Sequence, residues 1–251
     1  MEVTFLGTGS AMPTGDRAQT GLLVTHDDRT LLVDCGSGVL HRLASTDAGY
    51  EAVGTVLLTH LHLDHVADLL PLLKARWLAG EEQLEVVGPL GTKELLDELL
   101  SVHDYLDGRV DLQVREIVAD ETVAVAGFGV ESHEIEHSMD GLAYRFAADP
   151  EAAASFVFSG DTEAFGGMAR FAEGCRVVAH DCSFPDSVDV DGHPTASQLG
   201  EAFAESSVDH LYLTHLYPHT EGTHEQMCAS VTTHFDGEVH VARDGLRIEI
   251  N

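Results

Sequence analysis

The sequence predicts a layered α/β (α+β) fold in which helices cover mixed β-sheets. Three observations lead to this prediction. Short apolar segments typical of strands alternate with longer amphipathic segments typical of helices. Several strand segments follow each other closely enough to form hairpins. The 251 residues suffice for one large domain whose core needs no disulfide bonds.

The first half of the chain predicts five strands and two helices. The strands are expected at Glu2–Leu6, Gly21–His26, Thr30–Asp34, Val53–Thr59 and Leu84–Val87. One helix is expected from His65 to about Ala79, where Pro71 should kink it or shift its start because proline has no backbone N–H. The other helix is expected from Thr92 to about Val102.

The second half predicts more strands and two capped helices. The strands are expected at Leu112–Ile117, Thr122–Ala126, Val130–Glu136, Leu142–Phe146, Phe156–Ser159, Val177–His180 and His210–Thr214. Thr195 with Gln198, and Thr223 with Gln226, have the spacing of capping boxes, so each is expected to begin a helix. The segments Glu238–Ala242 and Leu246–Ile250 flank an Asp-Gly pair, which predicts a hairpin.

One sequence pattern occurs in both halves. Thr55–His62 reads TVLLTHLH, and Asp209–Tyr217 reads DHLYLTHLY, so an apolar strand runs into Thr-His-Leu in each. The similarity is either a coincidence in a chain with 16 histidines or the mark of two halves that meet across a pseudo-twofold cleft. We expect a single domain over residues 1–251, with pseudo-symmetric halves of about 1–125 and 126–251.

The composition is strongly acidic. The formal net charge is −30, and Lys74 and Lys93 are the two lysines among 13 basic residues. Such a composition is typical of halophilic proteins, because molar salt screens the self-repulsion; an acidic mesophilic enzyme is the alternative. The lack of a basic cluster argues against stable binding of duplex nucleic acid. Without a long apolar run or a signal peptide, the sequence predicts a cytoplasmic protein that does not cross a membrane.

The segment His60–His65, which reads HLHLDH, has the residue types and spacing of a metal site. Imidazole nitrogen and carboxylate oxygen suit borderline divalent metals, zinc first. His60 and His62 are two residues apart in an extended loop and can converge on one ion, whereas Asp64 and His65 follow the turn. Four donors in six residues exceed what one tetrahedral ion takes from so short a loop, so the segment predicts two adjacent ions.

This H-x-H-x-D-H pattern closely resembles the signature of the metallo-β-lactamase superfamily. The resemblance implies a four-layer αββα sandwich of two mixed sheets flanked by helices, with two Zn²⁺ ions at one edge of the sheets. It implies a first ion held by His60, His62 and His137, a second held by Asp64, His65 and His215, and a bridging Asp161 in the SGDT segment. Mn²⁺ or Fe²⁺ could occupy the same ligands.

Within the superfamily the chain is most similar to the RNase Z group, from about residue 3 to 247. FLGTGSAMPT (Phe5–Thr14), the link Val87–Gly91, and Tyr144-Arg145 after His137 match blocks of that group. Its H-E-A-T and H-S-T blocks correspond to HDCS and HPT here, which implies that Asp181 and His193 form the carboxylate–histidine pair beside the scissile phosphate. The chain departs from the group in two ways: Asp181 is one methylene shorter than Glu, and the 24 positions from His137 to Asp161 leave no room for the tRNA-gripping arm.

We therefore expect a zinc-dependent phosphodiesterase, RNase Z-like but without the arm, with Asp64, Asp181 and His193 as catalytic residues. Its substrate would be a small phosphodiester or single-stranded RNA rather than a tRNA precursor, and the resemblance implies a possible homodimer. Two alternatives remain: a hydrolase of lactones, thioesters, sulfate esters or β-lactams, and a metal-bound regulator without turnover. Asp34 could orient a metal ligand or brace the adjacent glycine turn, and His180 could orient a neighbouring side chain.

Overall fold

A computed structural model of the protein describes residues 1–106, 108–188 and 190–250. Within these residues two mixed sheets of seven strands each pack face to face, and helices cover their outer faces. The predicted fold class is therefore confirmed: four layers in the order helix, sheet, sheet, helix.

The first sheet combines the N-terminal strands with the last strand of the chain. Its strands are β1 (Glu2–Gly7), β2 (Gly21–His26), β3 (Arg29–Val33), β4 (Thr55–Leu57), β5 (Gln83–Gly88), β6 (Asp111–Glu116) and β14 (Arg247–Glu249). They lie in the order β14-β1-β2-β3-β4-β5-β6. Pairing is antiparallel from β14 to β3 and parallel from β3 to β6.

The second sheet has the same division into antiparallel and parallel parts. Its strands are β7 (Thr122–Val125), β8 (Phe128–Glu134), β9 (Leu142–Ala147), β10 (Phe156–Phe158), β11 (Val177–Asp181), β12 (His210–Thr214) and β13 (Glu238–Val241). They lie in the order β13-β12-β11-β10-β9-β8-β7. Pairing is antiparallel from β7 to β10 and parallel from β10 to β13.

The helices divide between the two outer faces. They are α1 (Val39–Leu43), α2 (Leu63–Val66), α3 (Leu69–Ala79), α4 (Thr92–Val102), α5 (Gly166–Phe171), α6 (Ala196–Ala202) and α7 (His224–Val231), with 3₁₀ turns at Asp104–Leu106 and Pro218–Thr220. The first four helices pack on the first sheet, and the last three pack on the second. In the described part of the chain, none of the helices combines the length and the apolar character that a membrane span requires.

The inner strands of each sheet are buried on both faces, which explains why many of them read as continuous apolar runs. In β2, Leu22 and Val24 pack between the two sheets, whereas Leu23 packs beneath the helices. The space between the sheets holds a group of aromatic side chains from the second sheet, among them Phe128 and Phe146. Alternation along the strands thus supplies three separate cores, one between the sheets and one beneath the helices on each outer face.

The predicted helix from His65 to Ala79 is broken into α2 and α3. The break falls at Ala67–Asp68, and Pro71 occupies the third position of α3, where a missing N–H costs no helical hydrogen bond. The Asp68 carboxylate accepts hydrogen bonds from the backbone of Gly38 (2.9 Å) and Leu40 (3.0 Å). Pro71 therefore shifts the start of the helix, one of the two outcomes that the sequence predicted.

The hairpin predicted from a turn signal was wrong, and of the two predicted capping boxes one forms, although both threonines begin a helix. Asp244-Gly245 does not close a hairpin, because β13 and β14 belong to different sheets and β14 pairs with β1. The Asp244 carboxylate instead accepts hydrogen bonds from the backbone N–H groups of Thr8 (3.1 Å) and Ala18 (2.7 Å), which fixes the crossing between the sheets. Thr195 forms the predicted capping box, whereas Thr223 begins α7 without a side-chain cap.

The topology brings the candidate site residues to one edge of the sandwich. The parallel strands β4, β10, β11 and β12 all end at this edge. His60, Asp161 and His215 each follow one of these ends, and Asp181 is the last residue of β11. Clefts at the carboxyl ends of parallel strands are where α/β proteins commonly place their ligands.

Candidate metal centre

The structure brings together all seven side chains that the sequence suggested as metal ligands. They form two groups, His60 with His62, His137 and Asp161, and Asp64 with His65, Asp161 and His215. In each group the potential ligand atoms lie within 4.8 Å of one another. Asp161 belongs to both groups, so its carboxylate would be shared if each group held an ion.

In the first group three imidazole rings converge. His62 Nδ1 lies 3.0 Å from His60 Nε2 and 3.2 Å from His137 Nε2. His60 Nε2 lies 3.7 Å from Asp161 Oδ2. Three nitrogens and one carboxylate oxygen around one point are a donor set that suits zinc.

The second group is more acidic and more deeply buried. His215 Nε2 lies 3.2 Å from Asp64 Oδ2 and 3.1 Å from Asp161 Oδ2. His65 Nε2 lies 3.2 Å from Asp161 Oδ1. All four side chains are buried.

Two buried atoms of this group fit a bound cation better than a hydrogen bond. Within residues 1–106, 108–188 and 190–250, His65 Nε2 and Asp161 Oδ1 have no hydrogen-bond partner, although they lie close together. Buried polar atoms without partners are rare in folded proteins because each costs about 1–3 kcal/mol. A cation between them would satisfy both, so the residues present fit a divalent metal.

The charges around the site favour the metal-binding form of His60 and Asp161. By contrast, Asp161 and Asp34 outweigh burial and raise the pKa of His65 well above its usual value. Burial raises the pKa of Asp161, but His215 and His65 outweigh this effect and hold it well below its usual value. Burial, together with the charge of His65, lowers the pKa of His60 well below its usual value. Asp161 is therefore a carboxylate and His60 a neutral imidazole, the forms that coordinate metal ions.

Asp34 holds one of the ligands from behind. Its Oδ2 accepts hydrogen bonds from His65 Nδ1 and Thr59 Oγ1, both at 2.8 Å, and its Oδ1 accepts the Thr59 N–H at 2.8 Å. Asp34 is fully buried. Of the two roles that the sequence left open for Asp34, the hydrogen bond to His65 supports the one that orients a ligand.

A second carboxylate–histidine pair lies beside the ligands. His193 Nδ1 lies 2.7 Å from Asp181 Oδ2, so the shorter Asp side chain still reaches its partner. The His193 ring stacks on His215, with 5.3 Å between the ring centroids. Burial lowers the pKa of His193, but the charge and hydrogen bond of Asp181 outweigh this and raise the pKa to about 9.

Sequence reasoning missed several residues that hold this arrangement in place. Ser183 Oγ donates to Asp181 Oδ1 at 2.6 Å and lies 3.0 Å from His215 Nδ1, so one hydroxyl connects the pair to a ligand. The carbonyl of Gly192 accepts a hydrogen bond from His137 Nδ1 at 3.0 Å. Ser183 stood within a matched sequence block and could have been found, whereas no sequence signal marks a backbone carbonyl.

His180 faces away from the site. Its Nδ1 donates to the backbone carbonyl of Asp181 at 2.7 Å, and its ring packs against Phe203 beneath the helices. Because neighbouring residues of a strand point to opposite faces, Asp181 faces the site and His180 does not.

The chain is similar over most of its length to proteins of known family. A family model described as "Anti-Pycsar protein Apyc1" matches residues 1–234. The chain belongs to this family. Ribonuclease Z of Mycobacterium avium is 31% identical over 277 residues, an alignment that covers 100% of this chain and 99% of that protein.

Solved structures agree with this assignment. The metallo-β-lactamase fold protein YhfI of Bacillus subtilis is 26% identical, with a TM-score of 0.84 and 98% of each chain covered. Human tRNase Z, short form, has the same fold at 21% identity, with a TM-score of 0.79 and 100% of each chain covered. The resemblance to the metallo-β-lactamase superfamily and to RNase Z is therefore confirmed. The protein is a ribonuclease Z-like hydrolase of this fold, with His/Asp clusters positioned to bind metal.

Proposed function

We propose that this Apyc1-family protein is a phosphodiesterase that uses two zinc ions, the first held by His60, His62 and His137, the second by Asp64, His65 and His215, with Asp161 between them. The observation that carries this proposal is the His193–Asp181 hydrogen bond beside the ligand cluster. Ligand clusters of this kind serve hydrolases of several ester classes. A positioned proton donor at the same site favours a substrate whose leaving group is a strongly basic alkoxide.

When bound, the two ions supply Lewis-acid chemistry, because they withdraw charge from phosphoryl oxygens and lower the pKa of a water molecule. His193 supplies the proton that the leaving oxygen needs. Its Nδ1 is engaged with Asp181, so Nε2 is the ring atom that donates. Asp181 fixes the orientation of the ring and stabilises its charged form, and Ser183 in turn fixes Asp181.

The surface of the protein supports a small or single-stranded substrate. The net charge of −30 repels a folded polyanion in dilute buffer, although molar salt weakens this repulsion. The segment from His137 to Asp161 is occupied by β9, β10 and the short connections beside them. We therefore propose a substrate such as a short oligonucleotide, an RNA 3′ end or a cyclic nucleotide, and slow processing of tRNA precursors.

The experiment compares substrates in high salt with zinc present. We expect hydrolysis of bis(p-nitrophenyl) phosphate, which releases a good leaving group, and of an alkyl phosphodiester, which releases a poor one. Turnover of lactones or thioesters alone would instead favour the other ester classes.

The His193→Ala variant tests the proton donor. We expect the variant to slow the alkyl substrate by about 10²–10⁴-fold and the p-nitrophenyl substrate much less, because only the alkoxide needs the proton. His133→Ala is the matched control, since His133 pairs with Asp120 at 3.4 Å outside the ligand cluster. An equal loss on both substrates would remove His193 as the acid.

A further inference from the structure

A third cluster of metal-ligating side chains lies on the second sheet, away from the candidate metal centre. His210 on β12 and Glu238 and His240 on β13 place one ligand atom each within 4.8 Å of the other two. His210 begins β12 and His215 directly follows its end, so the cluster lies about 16 Å from the ligand cluster, at about 3.3 Å per strand residue. We propose that these three residues form a separate site for a divalent metal ion such as zinc.

The strand register creates this cluster. His210 and Glu238 are direct partners in the parallel pair, and His240 follows Glu238 by two residues, so all three side chains project from the same face. This face lies between the two sheets, because Tyr212, which also projects from it, packs against Phe5 with 5.7 Å between ring centroids. The cluster is at the edge of the second sheet, where β13 is the last strand. His240 in turn stacks on Tyr212, with 4.8 Å between the ring centroids.

The distances fit coordination better than hydrogen bonding. Glu238 Oε2 lies 3.4 Å from His210 Nδ1 and 3.4 Å from His240 Nε2. Hydrogen bonds between nitrogen and oxygen are shorter, about 2.7–3.2 Å. Ligands about 2.0–2.1 Å from a tetrahedral zinc ion lie about 3.3–3.4 Å from one another. Each of the two nitrogens lies at this separation from Glu238 Oε2.

The two nitrogens also lack other partners. His210 Nδ1 and His240 Nε2 are both buried, and among the residues that the structure describes neither has a hydrogen bond. A cation between them would satisfy both nitrogens and the carboxylate together. Two histidines and one glutamate are a recurring zinc donor set that leaves a fourth position for water, and the net charge of −30 raises the local concentration of cations.

The test is a zinc titration of protein whose candidate metal centre has already been loaded. We expect the wild type to bind one further ion and the His240→Gln variant to bind none. Glu238→Gln should also bind none. Because Glu238 is exposed, this substitution should not affect folding, so loss of the further ion in this variant reports on the site itself. His234→Gln is the matched control: His234 lies 3.8 Å from Glu201, without a second histidine, so this variant should bind the extra ion as the wild type does.

X-ray absorption at the zinc edge provides a second measurement. The further ion should add two nitrogen ligands and one carboxylate oxygen at about 2.0–2.2 Å. Phosphodiester hydrolysis should be unchanged in His240→Gln and Glu238→Gln, since neither residue belongs to the candidate catalytic site. Failure of the wild type to bind a further ion, or equal binding by all the variants, would overturn the proposal.

Discussion

Replacement of Asp34 by Asn tests whether a buried carboxylate outside the ligand set controls metal binding. Asp34 has a φ of 58°, a left-handed conformation that Asn tolerates better than most residues, so the change adds little backbone strain. It keeps the size of the side chain and removes its charge. One carboxylate oxygen becomes an NH₂ group, which can no longer accept hydrogen bonds.

The expected effect follows from the hydrogen bonds of Asp34. With Asn Oδ1 facing the Thr59 N–H, the NH₂ group faces His65 Nδ1. In the wild type this nitrogen carries the proton that Asp34 accepts. Two donors cannot face each other, so His65 shifts its proton to Nε2, the atom that faces Asp161. Loss of such a partner weakens metal affinity about 10–100-fold, or about 1.4–2.7 kcal/mol.

The assay is competition for zinc with a chromophoric chelator, combined with thermal unfolding to show that the variant is folded. Asp68→Asn is the matched control, because Asp68 accepts hydrogen bonds from the backbone of Gly38 and Leu40 and not from a ligand. We expect Asp68→Asn to lower stability without a change in zinc affinity. Wild-type zinc affinity in Asp34→Asn would refute the reasoning about His65.

Three further predictions follow from the same structure. Metal analysis of the His240→Gln variant, which lacks the further site, should give close to two ions per chain, and His62→Ala should lose both the metal of the candidate centre and hydrolysis; an active variant would contradict the site. Gly36→Ala should destabilise the fold by about 1–3 kcal/mol, because its Cβ would lie 1.9 Å from the Asp64 carbonyl oxygen, whereas Gly54→Ala, with open space around it, should not. Unfolding in denaturant should show a free energy of unfolding that rises between about 0.1 and 1 M salt, as the Debye length falls from about 10 to 3 Å; no salt dependence would argue against surface repulsion.

The fold was predictable where the sequence pattern is local. The bounds of α4 (Thr92–Val102) and β12 (His210–Thr214) agree with the prediction, since their length and apolar pattern are distinct. The short helices α1 and α5 were missed because five or six residues are too few to show a helical period. The Asp244-Gly245 turn was misread because a turn signal does not say which strands will pair, and β14 pairs with β1 at the opposite end of the chain.

The candidate site was predictable in a similarly uneven way. The HLHLDH segment could be recognised from its spacing, because it has four potential metal ligands within six residues. His137, Asp161 and His215 are separated by tens of residues, so nothing in their own spacing indicated that they meet. They were found only through the resemblance to a family whose sequence blocks they match. Distances of 3.1–3.2 Å across the cluster then came from the fold, not from the pattern.

Backbone conformation shows why such residues are hard to find from local rules. Asp34 and His215 each follow directly after a parallel strand and have positive φ angles, 58° and 55°. Local propensity would place glycine at both positions, because a left-handed conformation costs other residues about 1–3 kcal/mol. A glycine would relieve that strain and remove the side chain that faces the cluster. The chain therefore tolerates strain at the two strand ends where a carboxylate and an imidazole must turn toward the same group of ligands.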